Sequence, residues 1–251
     1  MLSKFDKILL DVSGTLYSNK KVPLEGSKIF LENFYDKIII FSNIGSKTGL
    51  ELQKDLSAIF KVPIPKTITS LDILIHFLKK KSYKSVFHFG SKKVEKKIQP
   101  FIKKIVSNYS DNIDAVIFTS LIDEGWIHKA EVALNIILKN DSDILLGNPD
   151  RISPEPPFHF TTTLILDGLL NLSNILGKRK AAIEFGKPDL TKKILDIKVD
   201  EKLVVIGDNP WTDIQQSINM NCDSILISSK SNLSRNQPTP TFIVSSLNKL
   251  L

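Results

Sequence analysis

The chain has 251 residues, 42% of them apolar and 24% charged, with a formal net charge of +7. That balance belongs to a folded globule and excludes disorder as the dominant state. The single cysteine, Cys222, excludes an internal disulfide and, with four scattered histidines, gives no zinc-ligand spacing.

The first 66 residues alternate between buried-strand and amphipathic-helix patterns. The apolar run in Lys7 to Val12 predicts a strand that ends in Asp11-Val-Ser-Gly-Thr15. A helix is expected over 24–36, with Ile29, Phe30 and Phe34 on its apolar side, and a second strand over Lys37 to Asn43. Gly45 and a helix from about Ser46 to Phe60 follow. Between Thr67 and Ala182 lies text with strands of its own at Ser85 to Phe89, Ala115 to Phe118 and Asp143 to Leu146, and a proline-rich loop at Arg151 to Pro157. The first pattern then resumes, with strands at Leu203 to Ile206, Ser224 to Ser228 and Thr241 to Val244. Helices are expected over Thr212 to Met220 and Ser245 to Leu251. Continuous apolar strands alternating with helices predict an α/β protein with a doubly wound parallel sheet. The expected organisation is a core of 1–66 plus 183–251 interrupted by an inserted α/β domain at 67–182.

Apolar runs such as Ile38 to Phe41 reach only four residues, whereas a membrane helix needs about 20. Asp6 interrupts the N-terminal stretch and no small-residue cleavage site follows, so a soluble cytoplasmic protein without a signal peptide is expected. The basic excess is concentrated between Lys79 and Lys104, with ten lysines and one acid, Glu95. Lysine without arginine forks or interleaved aromatics argues against sequence-reading nucleic-acid binding and for solvated helix faces.

In open α/β sheets, ligands gather beyond the carboxyl ends of the strands. Those ends carry Asp11, Ser13, Gly14 and Thr15; then Ser42 and Asn43; then Asp208 and Asp213. Gly186-Lys187-Pro188 opens the resumed core. Carboxylates that could hold Mg²⁺, a lysine and a hydroxyl–amide pair suit phosphoryl transfer, with Asp11 as nucleophile.

At these residues the sequence resembles the haloacid dehalogenase superfamily and its four ordered motifs. Asp11-Val-Ser-Gly-Thr15 is similar to the first, Ser42-Asn43 to the second, Lys187 to the third and Gly207-Asp208 with Asp213 to the fourth. The insert resembles the type 2A cap of the p-nitrophenylphosphatase and ribonucleotide monophosphatase branch, with Gly147-Asn148-Pro149-Asp150 matching its NPD turn and Gly186-Lys187-Pro188 its closing GKP. The resemblance implies an HAD-like core with a type 2A cap and a Mg²⁺-dependent phosphatase acting on a small phosphorylated molecule. It implies that Asp11 forms an aspartyl-phosphate and that Asp11, the Ser13 carbonyl, Asp208 and Asp213 serve the metal. Ser42, Asn43 and Lys187 would bind phosphate and fix the nucleophile, and the cap would choose the substrate.

One position departs from the pattern. Phosphatases of this superfamily usually carry a second Asp two residues after the nucleophile, as acid and base for the leaving group; here it is Ser13. A serine hydroxyl does not exchange protons near neutrality, and loss of such help costs about 10²–10⁴-fold. Asp11-Val-Ser-Gly-Thr-Leu-Tyr17 and the cap exit Leu164-Ile-Leu-Asp167 are similar to the branch of phospholysine phosphohistidine inorganic pyrophosphate phosphatase, which shares the Asp-x-Ser-Gly pattern. The expectation is therefore hydrolysis of a phosphoric ester, P–N or P–O–P bond, with reduced or altered activity.

Two alternatives stay open. One is a catalytically silent relative that binds a phosphorylated ligand or a protein partner; the other is a nucleic-acid-associated protein using the lysine-rich segment. A homo-oligomer through the cap is also open. Among other residues, His76 is expected packed or half exposed, His88 within a strand, and His128 in a cap loop without a nearby partner. His159 is a candidate to face the substrate, Trp211 is expected to pack, and Cys222 to fill a small core space.

Overall fold

The computed structural model describes residues 1–18, 20–110, 112–120, 125–151, 161–228 and 236–251. The proline-rich loop beyond Arg151, His159 and most of the stretch up to Thr161 lie outside the described residues. Two compact units are present, the first made of 1–42, 48–69 and 187–251 and the second of 43–47 and 70–186.

The first unit opens with β1 (Lys7–Leu10), α1 (Ser27–Asn33), β2 (Ile38–Ser42), α2 (Gly49–Phe60) and β3 (Lys66–Thr69). The second contains α3 (Ser70–Lys81), β4 (Ser85–Phe89), α4 (Lys92–Ile98), β5 (Lys104–Val106), β6 (Ala115–Phe118), α5 (Trp126–Lys139), β7 (Asp143–Leu146), α6 (Thr162–Ile175) and β8 (Ile183–Glu184). The chain then returns to the first unit with α7 (Lys192–Leu195), β9 (Leu203–Gly207), α8 (Gln215–Asn219), β10 (Asp223–Ile227) and β11 (Phe242–Val244).

The first sheet runs β11-β10-β9-β1-β2-β3, with every pair parallel. Its central strands are apolar on both faces: Ile8, Leu9, Leu10, Ile40, Phe41, Val204, Val205 and Ile206 are all buried. Two-sided burial is what the unbroken apolar runs demand of strands covered by helices on both faces. Strand order reverses between β1 and β9, the crevice where open α/β sheets place ligands. Helix α2 begins at a reciprocal cap, Thr48 accepting from the Glu51 amide while Glu51 accepts from the Thr48 amide.

The second sheet runs β5-β4-β6-β7-β8, also parallel throughout. Phe87, Phe89, Val116, Phe118 and Leu146 from its strands pack with Ile136 of α5 and Leu166 of α6. Each unit thus has its own parallel sheet and its own core.

The expected boundaries at 66/67 and 182/183 move. Lys66–Thr69 pairs with β2 in the first sheet, and Ile183–Glu184 pairs with β7 in the second. The grouping of 43–47 with the second unit was not anticipated. Strand ends differ from expectation by one or two residues, whereas α1 is shorter than predicted; Phe30 is buried as expected, but Leu31 is buried beside it in place of Ile29, which is half exposed. The helix expected from Thr212 starts earlier, as a π-helical turn over Pro210–Ile214 that runs into α8. The closing helix is a single 3₁₀ turn, Leu247–Leu250.

Candidate active site

Asp11 directly follows β1, and its backbone N–H donates to Ile206 O of β9 at 2.9 Å. This bond holds the strand end against the neighbour that delivers Asp208. The loop beyond folds back on itself: Gly14 N donates to Tyr17 O at 2.9 Å, and Ser13 bridges to Tyr17. Gly14 has φ +82°, and a Cβ there would lie 2.2 Å from an Asp208 carboxylate oxygen. Glycine is required both by conformation and by the close approach of the loop to the acid. Thr15, fully buried, donates from Oγ1 to Asp208 Oδ1 at 3.4 Å.

Lys187 is the centre of the cluster. Its side chain is almost wholly buried, and its ammonium donates to Asp11 Oδ1 and, at 2.6 Å, to Asp213 Oδ1. The Phe41 ring lies 5.9 Å from Nζ. Asp213 is itself fixed by the Asn209 amide, which donates to its Oδ2 at 3.1 Å. A Cβ on Gly207 would sit 2.2 Å from the Asp213 carboxyl carbon, so the end of β9 has room for hydrogen alone.

Ligand oxygens of Asp11, Asp208 and Asp213 all lie within 4.8 Å of one another. Burial pushes Asp208 up to about 8, reinforced by the negative charges of Asp11 and Asp213. Burial likewise raises Asp213 to about 7, against the opposing pull of Lys187. For Lys187, burial works to neutralise the ammonium, but Asp11 and Asp213 outweigh it and hold the group charged, above the usual lysine range. Burial and mutual repulsion thus work against ionising all three carboxylates beside a single ammonium. Three converging carboxylates, whose ionisation a bound cation would favour, fit a hard divalent ion.

Asp11, Lys187, Asp208 and Asp213 therefore come together in the first unit. Ser13 lies in the same loop as Asp11, with its side chain half-buried. Ser42 is buried at the end of β2, in register with Thr69. Asn43 packs within the second unit, where Nδ2 donates to Asp150 Oδ1 at 2.8 Å and Oδ1 accepts from Ser70 Oγ at 3.3 Å. The contacts of Thr15, Asp150 and Ser70 were not anticipated. The NPD turn and the threonine of the first motif were visible in the sequence, but neither carried a chemical signal by itself.

Several other expectations are corrected. His128 lies in the first turn of α5, not in a loop, with Nδ1 3.6 Å from Glu131. His76 is exposed, and Trp211 does not pack but is 54% exposed. Cys222 is half-buried, and burial pushes its thiol up to about 11. His88 lies in β4 as expected and is buried, Nε2 2.8 Å from Thr119 Oγ1. Nine of the ten lysines between 79 and 104 are exposed, Lys97 being half-buried.

Two family models match the sequence, one described as haloacid dehalogenase-like hydrolase over residues 8–101 and one as HAD-hydrolase-like over 184–250. The chain belongs to the haloacid dehalogenase-like hydrolases. No curated protein sequence matches it. Among solved structures, it is similar to 4-nitrophenylphosphatase from Thermotoga maritima, 20% identical, with 99% of this chain and 97% of that one covered and a TM-score of 0.79. It is also similar to p-nitrophenyl phosphatase from Archaeoglobus fulgidus, 17% identical, with 98% of each chain covered and a TM-score of 0.79. A glycerol phosphate phosphatase from Mycobacterium tuberculosis in complex with magnesium is 18% identical, with 98% of this chain and 76% of that one covered and a TM-score of 0.78. At these identities the likeness concerns the fold, a core hydrolase unit with an inserted α/β unit. No helix among the described residues is long and apolar enough to cross a membrane.

Proposed function

We propose that the chain is a divalent-metal-dependent phosphatase, with Mg²⁺ the expected ion, acting on a small phosphorylated substrate. The observation that carries this reading is the cluster at the β1/β9 crevice: three carboxylates within reach of one ion and a buried ammonium between two of them. In this reading a carboxylate oxygen of Asp11 attacks phosphorus. The new Asp–O–P bond forms as the bond to the leaving group breaks, and water then hydrolyses the aspartyl-phosphate to release phosphate. A bound Mg²⁺ supplies charge neutralisation at the phosphoryl oxygens. Asp208, Asp213, Asp11 and the Ser13 carbonyl would hold it.

Lys187 restrains the Asp11 carboxylate and offsets negative charge beside it, while Ser42 and Asn43 serve the phosphate. The chemistry extends to phosphoric esters, P–N and P–O–P bonds. Ser13, in the position where an acid would assist the leaving group, favours one second reading: a silent relative that binds a phosphorylated ligand. The named solved structures, two described as nitrophenyl phosphatases, support the first reading. The test is a substrate panel with Mg²⁺ covering aryl phosphates, nucleotides, sugar phosphates, pyrophosphate and phosphoramidates. Wild type is expected to hydrolyse at least one class, and chelator or Asp208→Ala to abolish that turnover. Full activity in excess chelator contradicts the metal requirement, and phosphate binding with no turnover across the panel supports the silent relative.

A further inference from the structure

The segment that follows Ser42 is held from the second unit's side, by residues with no role in the chemistry above. Asn43 is gripped at both ends of its carboxamide, Nδ2 donating to Asp150 Oδ1 at 2.8 Å and Oδ1 accepting from Ser70 Oγ at 3.3 Å. Two residues on, Gly45 N donates to Ser120 Oγ at 3.1 Å, and that hydroxyl also accepts from Asn148 Nδ2 at 3.0 Å. Lys97 Nζ donates to Ser46 O at 2.9 Å. Close packing leaves the backbone no slack. A Cβ on Gly45 would lie 2.5 Å from Gly147 O, and one on Gly186 would lie 2.5 Å from Asn43 Oδ1 and 2.8 Å from Pro149 Cγ. The NPD turn and the GKP triplet thus converge on one asparagine.

The Asp150 carboxylate can only accept, so it admits the NH₂ end of Asn43 and rejects the carbonyl end. Bonds to an ionised acceptor are stronger than neutral ones. Asp150 is in turn oriented: its own N–H donates to Asn148 Oδ1 at 3.2 Å, and its carbonyl accepts from Thr161 Oγ1. A neutral amide at 150 would lose this polarity filter, since either end of Asn43 could then pair with it.

We propose that Asp150 is a positioning residue, fixing the Asn43 carboxamide and with it the backbone bonded to Ser42, the two residues assigned above to the substrate phosphate. The proposal rests on the phosphatase reading for its kinetic consequence but not for the tie itself. The experiment measures p-nitrophenyl phosphate hydrolysis and competitive inhibition by inorganic phosphate in wild type, Asp150→Asn, Asn43→Ala and the double variant. In parallel, the exchange of the Asn43 side-chain amide protons is followed in ¹⁵N-labelled wild type and Asp150→Asn.

Asp150→Asn is expected to raise both KM and the phosphate inhibition constant about tenfold, which is 1.4 kcal/mol, with kcat and Mg²⁺ half-saturation changed far less. It should add nothing further in the Asn43→Ala background, because it acts through that residue. Asn43 amide exchange should be slow in wild type and fast in the variant. Losses that add in the double variant, or equal exchange in the two proteins, overturn the proposal. If Asp150→Asn does not fold, Ser70→Ala carries the same test from the other end of the carboxamide. Absence of any turnover in wild type speaks against the phosphatase reading, while the exchange experiment still decides the tie.

Discussion

Ser13 lies two residues beyond Asp11, in a loop whose backbone is pinned by Gly14 N to Tyr17 O at 2.9 Å. Its hydroxyl cannot donate a proton to a departing oxygen near neutrality, so the leaving group must depart with little help. Aryl phosphates, pyrophosphate-like compounds and phosphoramidates are therefore expected to react faster than alkyl phosphates. Ser13→Asp should narrow the gap by at most about 10²–10⁴-fold. A leaving-group series on both proteins checks this, and equal rates for aryl and alkyl esters in wild type refute it. His88 makes a prediction for the second unit. Burial lowers its pKa, and the cations Lys92 and Lys129 add to the lowering, outweighing Glu95, which lies 3.6 Å from Nδ1. The folded state thus holds a neutral ring, and the unfolded chain takes up more protons as pH falls. Stability is present above the ordinary histidine value of about 6.5 and is lost as pH falls below it. Thermal unfolding at pH 7.5 and 5.5 should show a smaller acid-induced drop in Tm for His88→Gln than for wild type; equal drops would exclude His88 as a source.

At the scale of elements, the site depends on strand ends that approach one another without side chains between them. Gly207 closes β9, and an added methyl would meet the Asp213 carboxyl at 2.2 Å. Gly207→Ala should therefore push Asp213 off Lys187, and a displacement of about 1 Å can cost about 10²-fold in rate. Gly168→Ala in α6, where an added Cβ meets nothing within 4 Å, is the control and should leave turnover unchanged. The comparison of kcat/KM for the two variants decides between a site-specific and a general glycine effect. Strands such as Ala115–Phe118 and Asp143–Leu146 were legible because short apolar runs bounded by polar residues suit strands buried on both faces. Helix α5 was less so: it starts after Gly125, with no Ser, Thr or Asp cap to mark its first turn, so the sequence alone leaves His128 in a loop. Trp211 misled for a related reason. Asn209 Oδ1 accepts its backbone N–H in the first turn after β9, which fixes the main chain and leaves the indole in solvent.

For the whole molecule, the four motif residues Asp11, Lys187, Asp208 and Asp213 were legible as a set because the order of strand ends along the chain anticipates the crevice at which β1 and β9 meet. What the sequence hid was long-range: the pairing of β3 with β2 and of β8 with β7 that moves both unit boundaries, and the capture of 43–47 by Asp150, Ser120 and Lys97. Neither has a local signature, since each depends on partners tens of residues away. The surplus of lysine lies in the second unit, on α3, α4 and the strands beside them, largely exposed. Within the first unit, the ammonium of Lys187 bonds both Asp11 and Asp213. The claim on which everything turns is that Asp11 attacks phosphorus, and Asp11→Asn tests it most directly. The amide keeps the shape of the carboxylate and removes its charge and nucleophilicity. With Mg²⁺ and the best substrate of the panel, the variant should retain wild-type Tm and lose turnover by more than about 10³-fold, the scale on which removal of a nucleophile is felt. Turnover within about tenfold of wild type would remove Asp11 from the mechanism.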